Sequence, residues 1–285
     1  EAYCRRGARR CAPIYNALDP ATHFPVPPDP RFEGELGFLG NRLPDREARV
    51  EEFFLKAATA RPEARFLLGG AGWGDRALPG NVRYLGHVGT ADHNAFNATP
   101  RAVLNVNRAS MATYGFSPPT RVFEAAGAGA CLITDAWEGI ERFLEPDREV
   151  LVAHSGEEVA AHLDRLDPAR ARAIGDAARA RILARHTYDQ RAVEVERTAR
   201  EADRRAQARH ALRLDPQRPM LDLRMTDGIG DRVDRPAGNA AGLHRRDEIL
   251  TSSRRRARRQ LRHEIAAVLH PCRIGGVARI GGEFG

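Results

Sequence analysis

The 285-residue chain has no run of 18 apolar residues, so no membrane-spanning helix is expected. Its start, Glu1-Ala2-Tyr3-Cys4-Arg5-Arg6, lacks the apolar stretch of a secretory signal and does not begin with Met. It reads as the start of a fragment or a processed product. No Gly-Lys-Ser/Thr accompanies the glycine cluster Gly70-Ala71-Gly72-Trp73-Gly74, which excludes a P-loop. That cluster reads as a flexible turn, with Trp73 placed to cover a ligand. No Cys-x-x-Cys joins the cysteines at 4, 11, 131 and 272, and no His/Cys cluster has zinc-ligand spacing. Cys131 opens an apolar run and reads as a small core residue. Cys4 and Cys11 are left open to bridging or to metal binding, with no partner pattern to favour either. A reducing, cytoplasmic setting is expected.

Lysine is almost missing too: Lys56 is the single one, and the other 44 basic residues are arginine. With abundant Ala and Gly, this reads as a coding bias and not as selection for nucleic acid. The net charge of +7 is carried by residues 201–285, which hold 18 Arg against 11 Asp and Glu. The first 200 residues are neutral overall. The cluster Arg254 to Arg262 has no interleaved aromatics, so it reads as a solvated charged segment, and no nucleic-acid partner is expected.

What is present is a regular alternation. Residues 1–34 read as a connector, with a candidate strand at Ile14–Leu18 and an extended segment at Pro25–Pro30, where prolines exclude helix. Short apolar runs at Leu36–Gly40, Arg65–Gly69, Asn81–Gly86, Ala102–Val106, Cys131–Thr134 and Glu149–Ala153 predict strands. Between and after them, helical spacing predicts helices over Asp45–Ala60, from a Thr90 cap through Phe96, and over Pro119–Ala126. Three more are predicted at Gly156–Leu166, Pro168–His186 and Tyr188 to about Arg205. Strands alternating with helices predict an α/β fold, a Rossmann-like doubly wound parallel sheet. The domain is expected over 35–205 and an irregular Arg-rich tail over 206–285, with one helix near Arg258–His270.

The segment Ser117-Pro118-Pro119-Thr120-Arg121-Val122-Phe123-Glu124-Ala125-Ala126 carries the clearest chemistry. Glu124 lies in a small, apolar helical run, and a carboxylate there needs a partner. The sugar hydroxyls of a nucleotide satisfy it; a plain helix carboxylate favoured by the macrodipole is the competing reading. Arg121 shares its helical face and offers charge and donors to a diphosphate, or else pairs with Glu124. The helix start, Ser117 to Thr120, turns free N–H groups toward phosphate. Asn41, Arg42, Asn107 and Arg108 follow strands, where ligands of open α/β sheets bind. Asp135 ends a strand and reads as a cap for the next helix, which begins at Gly139 and Ile140.

Several segments together resemble the carboxy-terminal, donor-binding domain of GT-B glycosyltransferases, most nearly the CgeB-like branch of spore-coat maturation proteins. They are Gly37-Phe38-Leu39-Gly40-Asn41, Val82 to Val88, Leu104 to Arg108, Ser117 to Ala126 and Ile133 to Phe143, in the family's order over roughly 165 residues. The resemblance implies a nucleoside-diphosphate sugar as partner, an unidentified acceptor, no cofactor and no metal; no Asp-x-Asp is present for the metal-dependent alternative. It implies that Glu124 holds the ribose hydroxyls and that Arg121 stabilises the leaving diphosphate. A basic loop residue such as Arg42 assists, and backbone near His87 reads the base. It places Gly139 and Ile140 beside the sugar. Relatives carry a second glutamate where this chain has Phe116, or Tyr114 if the Gly-Phe pair is aligned. Residues 1–30 resemble the crossover from an acceptor-binding half. The expected function is glycosyl transfer, with a non-catalytic nucleotide-sugar-binding module as the alternative.

Overall fold

The computed structural model describes residues 2–8 and 11–213. The chain divides into two compact units, and the larger spans Pro13–Arg191. Its six strands are β1 (Leu36–Leu39), β2 (Phe66–Gly69), β3 (Val82–Gly86), β4 (Ala102–Asn105), β5 (Leu132–Asp135) and β6 (Leu151–Ala153). Every pairing is parallel, and the order is β3-β2-β1-β4-β5-β6. This is the strand order of the Rossmann fold, whose chain reverses direction across the sheet between β1 and β4.

The strands are short apolar runs because both faces are covered. Period-two alternation splits each run between two cores. Leu36, Phe38, Phe66, Leu68, Leu104 and Ile133 face one core, joined by Val50, Phe54 and Val159. Val103 and Leu132 face the other, with Val122, Phe123, Val150 and Ile182. The first core is roofed by α2 (Glu47–Val50), a π-helical stretch at Glu51–Leu55, α3 (Lys56–Ala60) and α7 (Gly156–Arg165). Between them lie α4 (His93–Ala98), α5 (Ala109–Tyr114) and α6 (Thr120–Gly127). On the second core, α6 packs against α8 (Pro168–Arg185).

The predicted elements are found with ends displaced by a residue or two, and three readings are corrected. Ile14–Leu18 is not a sheet strand: Leu18 makes one isolated parallel bridge to Thr187, with its N–H 2.8 Å from the His186 carbonyl. Asp19-Pro20 ends the run before it can pair further. Thr90 is not a side-chain cap; it opens a 3-10 turn after Gly89 that leads into α4. The last helix, α9 (Tyr188–Arg213), runs past Arg205. Helix α5 has no buried residue and so no apolar stripe that a sequence reading can detect. The helix expected near Arg258–His270 lies outside the described residues.

One half-buried imidazole couples this fold to pH. His186 sits against Phe143 and Phe123, and its Nδ1 is 2.8 Å from Arg191. Burial pushes its pKa down to about 4, and Arg191, Arg181 and Arg185 add to the effect. Between pH 6.5 and about 4 the unfolded chain therefore binds a proton that the folded chain refuses, and stability falls as pH falls through that window. We predict that urea unfolding at pH 7 and pH 5 gives a larger loss of stability for the wild type than for His186→Gln.

Candidate functional site at the strand-order reversal

Ligands of open α/β sheets bind at the carboxyl ends of the strands, where the order reverses. Here that point lies between β1 and β4. A cavity of about 100 Å³ opens there, and Arg46, Asn105, Asn107, Arg108, Thr120 and Arg121 are among its lining residues. A larger cavity, about 610 Å³, lies at the opposite ends of the strands. Its Glu35 and Arg101 pair with each other at 2.7 Å, and its lining mixes carboxylates and arginines.

The loop after β1 is held by close backbone contact. Gly70 has φ of +124°, and an added Cβ would stand 2.3 Å from the Gly40 carbonyl oxygen, so only glycine fits there. Trp73 donates its Nε1–H to that same carbonyl at 2.8 Å and is fully buried. Trp73 is therefore a core brace and not a ligand cover, because a buried indole N–H must find an acceptor. Asn41 braces the same turn: its Oδ1 accepts from the Ala71 N–H at 2.9 Å. Arg42 is paired with Glu47 at 2.6 Å and with Asp75 at 2.9 Å.

Asp135 is not a helix cap. The turn at Ile140–Arg142 is preceded by Gly139, in a left-handed conformation with φ of +100°. Asp135 is instead fully buried. It meets Arg49 at 2.5 Å and accepts from the Asn107 N–H at 3.1 Å. Burial pushes its pKa above the ordinary carboxylate value, while Arg49, the Asn107 amide and Thr134 pull the other way. This clasp fixes Asn107, which is 1% exposed. Asn107 Oδ1 accepts from Asn105, and its Nδ2, in the lining of the cavity, has no hydrogen-bond partner.

Arg46 is the residue the sequence reading missed. It stands at the N-cap of α2 and makes no capping bond. An added Cβ on Gly40 would meet its Nη1 at 2.7 Å, so the guanidinium lies back against the end of β1. Its Nε is buried without a partner. Burial lowers its pKa; Arg108 and Arg121 lower it further, against Asp45 and Asp135. Position alone marks it: a cation at a helix N-terminus opposes the macrodipole, so such a placement signals an anion.

Arg121 reaches the same cavity from the first turn of α6. It donates to Asn97 Oδ1 at 3.1 Å and to the Leu39 carbonyl at 3.0 Å, both neutral acceptors. Burial draws its pKa down, and Glu124 opposes that. Arg108 pairs with Asp45 at 2.8 Å. Ser117 lies in the approach to α6, Pro119 stands at its N-cap position without a capping bond, and Thr120 is its first residue.

Glu124 lies one turn along α6, outside the residues that line this cavity. His23 Nε2 stands 4.0 Å from its Oε1, and its side chain is 15% exposed. Burial raises its pKa, but Arg121, His23 and His93 outweigh burial and hold it below the ordinary value. His23 itself is lowered by burial. His87 is exposed just past β3. Ile140 belongs to the core with Trp137 and Phe143 and offers no polar group. Phe116 adopts φ of +45°, its N–H bonds the Glu138 carbonyl at 2.6 Å, and Arg142 lies over its ring at 5.0 Å. A left-handed non-glycine residue costs on the order of 1–3 kcal/mol, and here the loop's contacts hold it.

A family model described as glycosyl transferase-like matches residues 46–197. The chain belongs to this family. Its fold is that of GT-B glycosyltransferases. Sucrose-phosphate synthase from Thermosynechococcus elongatus superposes with a TM-score of 0.55 at 19% identity, covering 70% of this chain and 55% of that one. AviGT4, a glycosyltransferase of avilamycin A biosynthesis, gives 0.51 at 21% identity, covering 70% and 60%. HepE of Anabaena in complex with UDP-glucose gives 0.51 at 16% identity, covering 66% and 57%. The chain thus spans less than two thirds of each of these structures. None of the curated proteins matches it. No described helix is long and apolar enough to cross a membrane.

Removing the carboxylate at 135 should be costly, because the buried Asn107 N–H would lose its acceptor and the partly exposed Arg49 its counter-ion. We predict that Asp135→Ala loses about 1–3 kcal/mol of unfolding free energy and that the isosteric Asp135→Asn loses less, both read from urea titrations.

Proposed function

We propose that residues 35–205 form the donor-binding half of a GT-B glycosyltransferase of the CgeB-like branch. It binds a nucleoside-diphosphate sugar and transfers the glycosyl group to an acceptor hydroxyl. The observation that carries this reading is the buried, unpartnered Nε of Arg46, which shares one cavity with Arg121 and the open amide of Asn107. A cation that its neighbours compensate only in part is costly in a half-buried site, and a bound dianion offsets the cost while its oxygens take the free donors. Peptide N–H groups of the first turn of α6 add to the same field.

In this reading Arg46 and Arg121 hold the diphosphate. Glu124, kept ionised and lying further along α6, accepts from the vicinal ribose hydroxyls. The backbone beyond Gly86, near His87, lies at the base end. As the glycosidic bond breaks, negative charge grows on the diphosphate, and preorganised guanidinium groups stabilise it without moving. Charge neutralisation by arginine takes the place of a metal ion. Gly139 stands beside the sugar as backbone only. Asn41 and Arg42 act by bracing the β1 loop, and Arg108 by tying Asp45 to the rim.

A second reading, a nucleotide-sugar-binding module without transfer, is favoured by Phe116. The family resemblance puts the second glutamate of relatives at Phe116 or Tyr114, and the Phe116 ring is packed under Arg142. Hydrolysis or transfer of the sugar by the purified protein would exclude it.

Calorimetric titration tests the donor site. UDP or GDP should bind, and Arg46→Met or Arg121→Met should weaken binding roughly 10- to 100-fold, the worth of a charged hydrogen bond. Glu124→Gln should weaken nucleoside diphosphate but leave inorganic pyrophosphate unchanged. Absence of binding to either nucleotide, or binding indifferent to both arginines, overturns the proposal.

A further inference from the structure

The smaller unit contains a thiol pair that the donor site does not use. Helix α1 (Ala2–Arg5) ends in a Schellman turn. Gly7, with φ of +96°, donates its N–H to the Cys4 carbonyl at 3.0 Å, and Ala8 donates to the Tyr3 carbonyl at 3.0 Å. This pair of bonds reverses the chain at a glycine, as such turns do. The Sγ atoms of Cys4 and Cys11 stand 3.9 Å apart. Both cysteines are free and exposed, while Cys131 is buried.

We infer that Cys4 and Cys11 are a dithiol–disulfide redox pair, oxidised by low-molecular-weight disulfides such as glutathione disulfide. Two exposed thiols already in contact have about 2 Å to close to reach the S–S bond length. A thiolate of the pair attacks one sulfur of glutathione disulfide and expels a glutathione thiolate. The second cysteine then attacks the protein sulfur of the mixed disulfide and expels the remaining glutathione. Two protein thiols become one disulfide, and one glutathione disulfide becomes two glutathione molecules that take up the two thiol protons. The reagent is anionic, and Arg5 and Arg6 follow Cys4 in the chain, which raises its local concentration. In a reducing compartment such a pair is transient and reports redox state.

The test uses the full chain, incubated with glutathione disulfide and digested with trypsin after alkylation of free thiols. The arginines separate the two cysteines, so a disulfide joins the peptide Glu1–Arg5 to the peptide beginning at Cys11. We expect that cross-linked species, a fall of two in the accessible thiol count, and its disappearance on addition of dithiothreitol. Cys4→Ser and Cys11→Ser should instead carry one glutathione on the remaining cysteine, while Cys131 stays reduced in all three proteins. Glutathione on both cysteines of the wild type without a cross-link, both thiols left free, or a cross-link from either cysteine to Cys272 would overturn the inference.

Discussion

The crevice between β1 and β4 is governed by an imbalance between guanidinium and carboxylate groups. Four arginines have carboxylates within reach at this end of the sheet or beside it. Glu47 and Asp75 hold Arg42, Asp45 holds Arg108, Asp135 holds Arg49, and Glu124 opposes the burial of Arg121 from one turn away. Arg46 is left over. Asp45 and Asp135 only partly offset its burial and its repulsion from Arg108 and Arg121, and the free amide of Asn107 adds a donor with no acceptor. A folded chain tolerates such an arrangement only at a cost, and a ligand carrying two or more negative charges reverses the sign of that cost.

The scaffold that maintains this imbalance is built from groups that never touch the cavity. Trp73 fixes the Gly40 carbonyl, Gly70 allows the β2 turn to lie against it, and Gly40 leaves room for the Arg46 guanidinium. Asp135 pins the loop after β4 by taking the Asn107 N–H, and pins the head of the first long helix through Arg49. Each contact joins the ends of two adjacent elements of the reversed sheet. The fold and the field at its strand ends therefore rest on the same few buried polar bonds, in line with ligand-binding crevices at such reversals.

Much of this was legible in the sequence. Short apolar runs stopped by glycine or proline marked the strands, because a sheet covered on both faces needs no polar alternation. Arg121 was legible from its place three residues before a carboxylate in a small-residue helix, and Asn107 from its polar surroundings at a strand end. Three features were not. Arg46 looks like any solvated residue at the head of an amphipathic helix unless the macrodipole is weighed against it. Asp135 has the sequence context of a cap, and only the tertiary approach of Arg49 makes it a buried counter-ion. Trp73, between glycines, suggested mobility, whereas its indole N–H found a backbone acceptor 33 residues away in the chain.

The account's central claim is that the cavity at the strand-order reversal receives a diphosphate. A crystal structure of the full chain grown with a nucleoside diphosphate tests it most directly. The account predicts phosphorus density within hydrogen-bond reach of Arg46, Arg121 and Asn107 Nδ2, with the ribose turned toward Glu124. Density instead in the groove beside Glu35 and Arg101, or a bound nucleotide whose phosphates avoid Arg46, would contradict it.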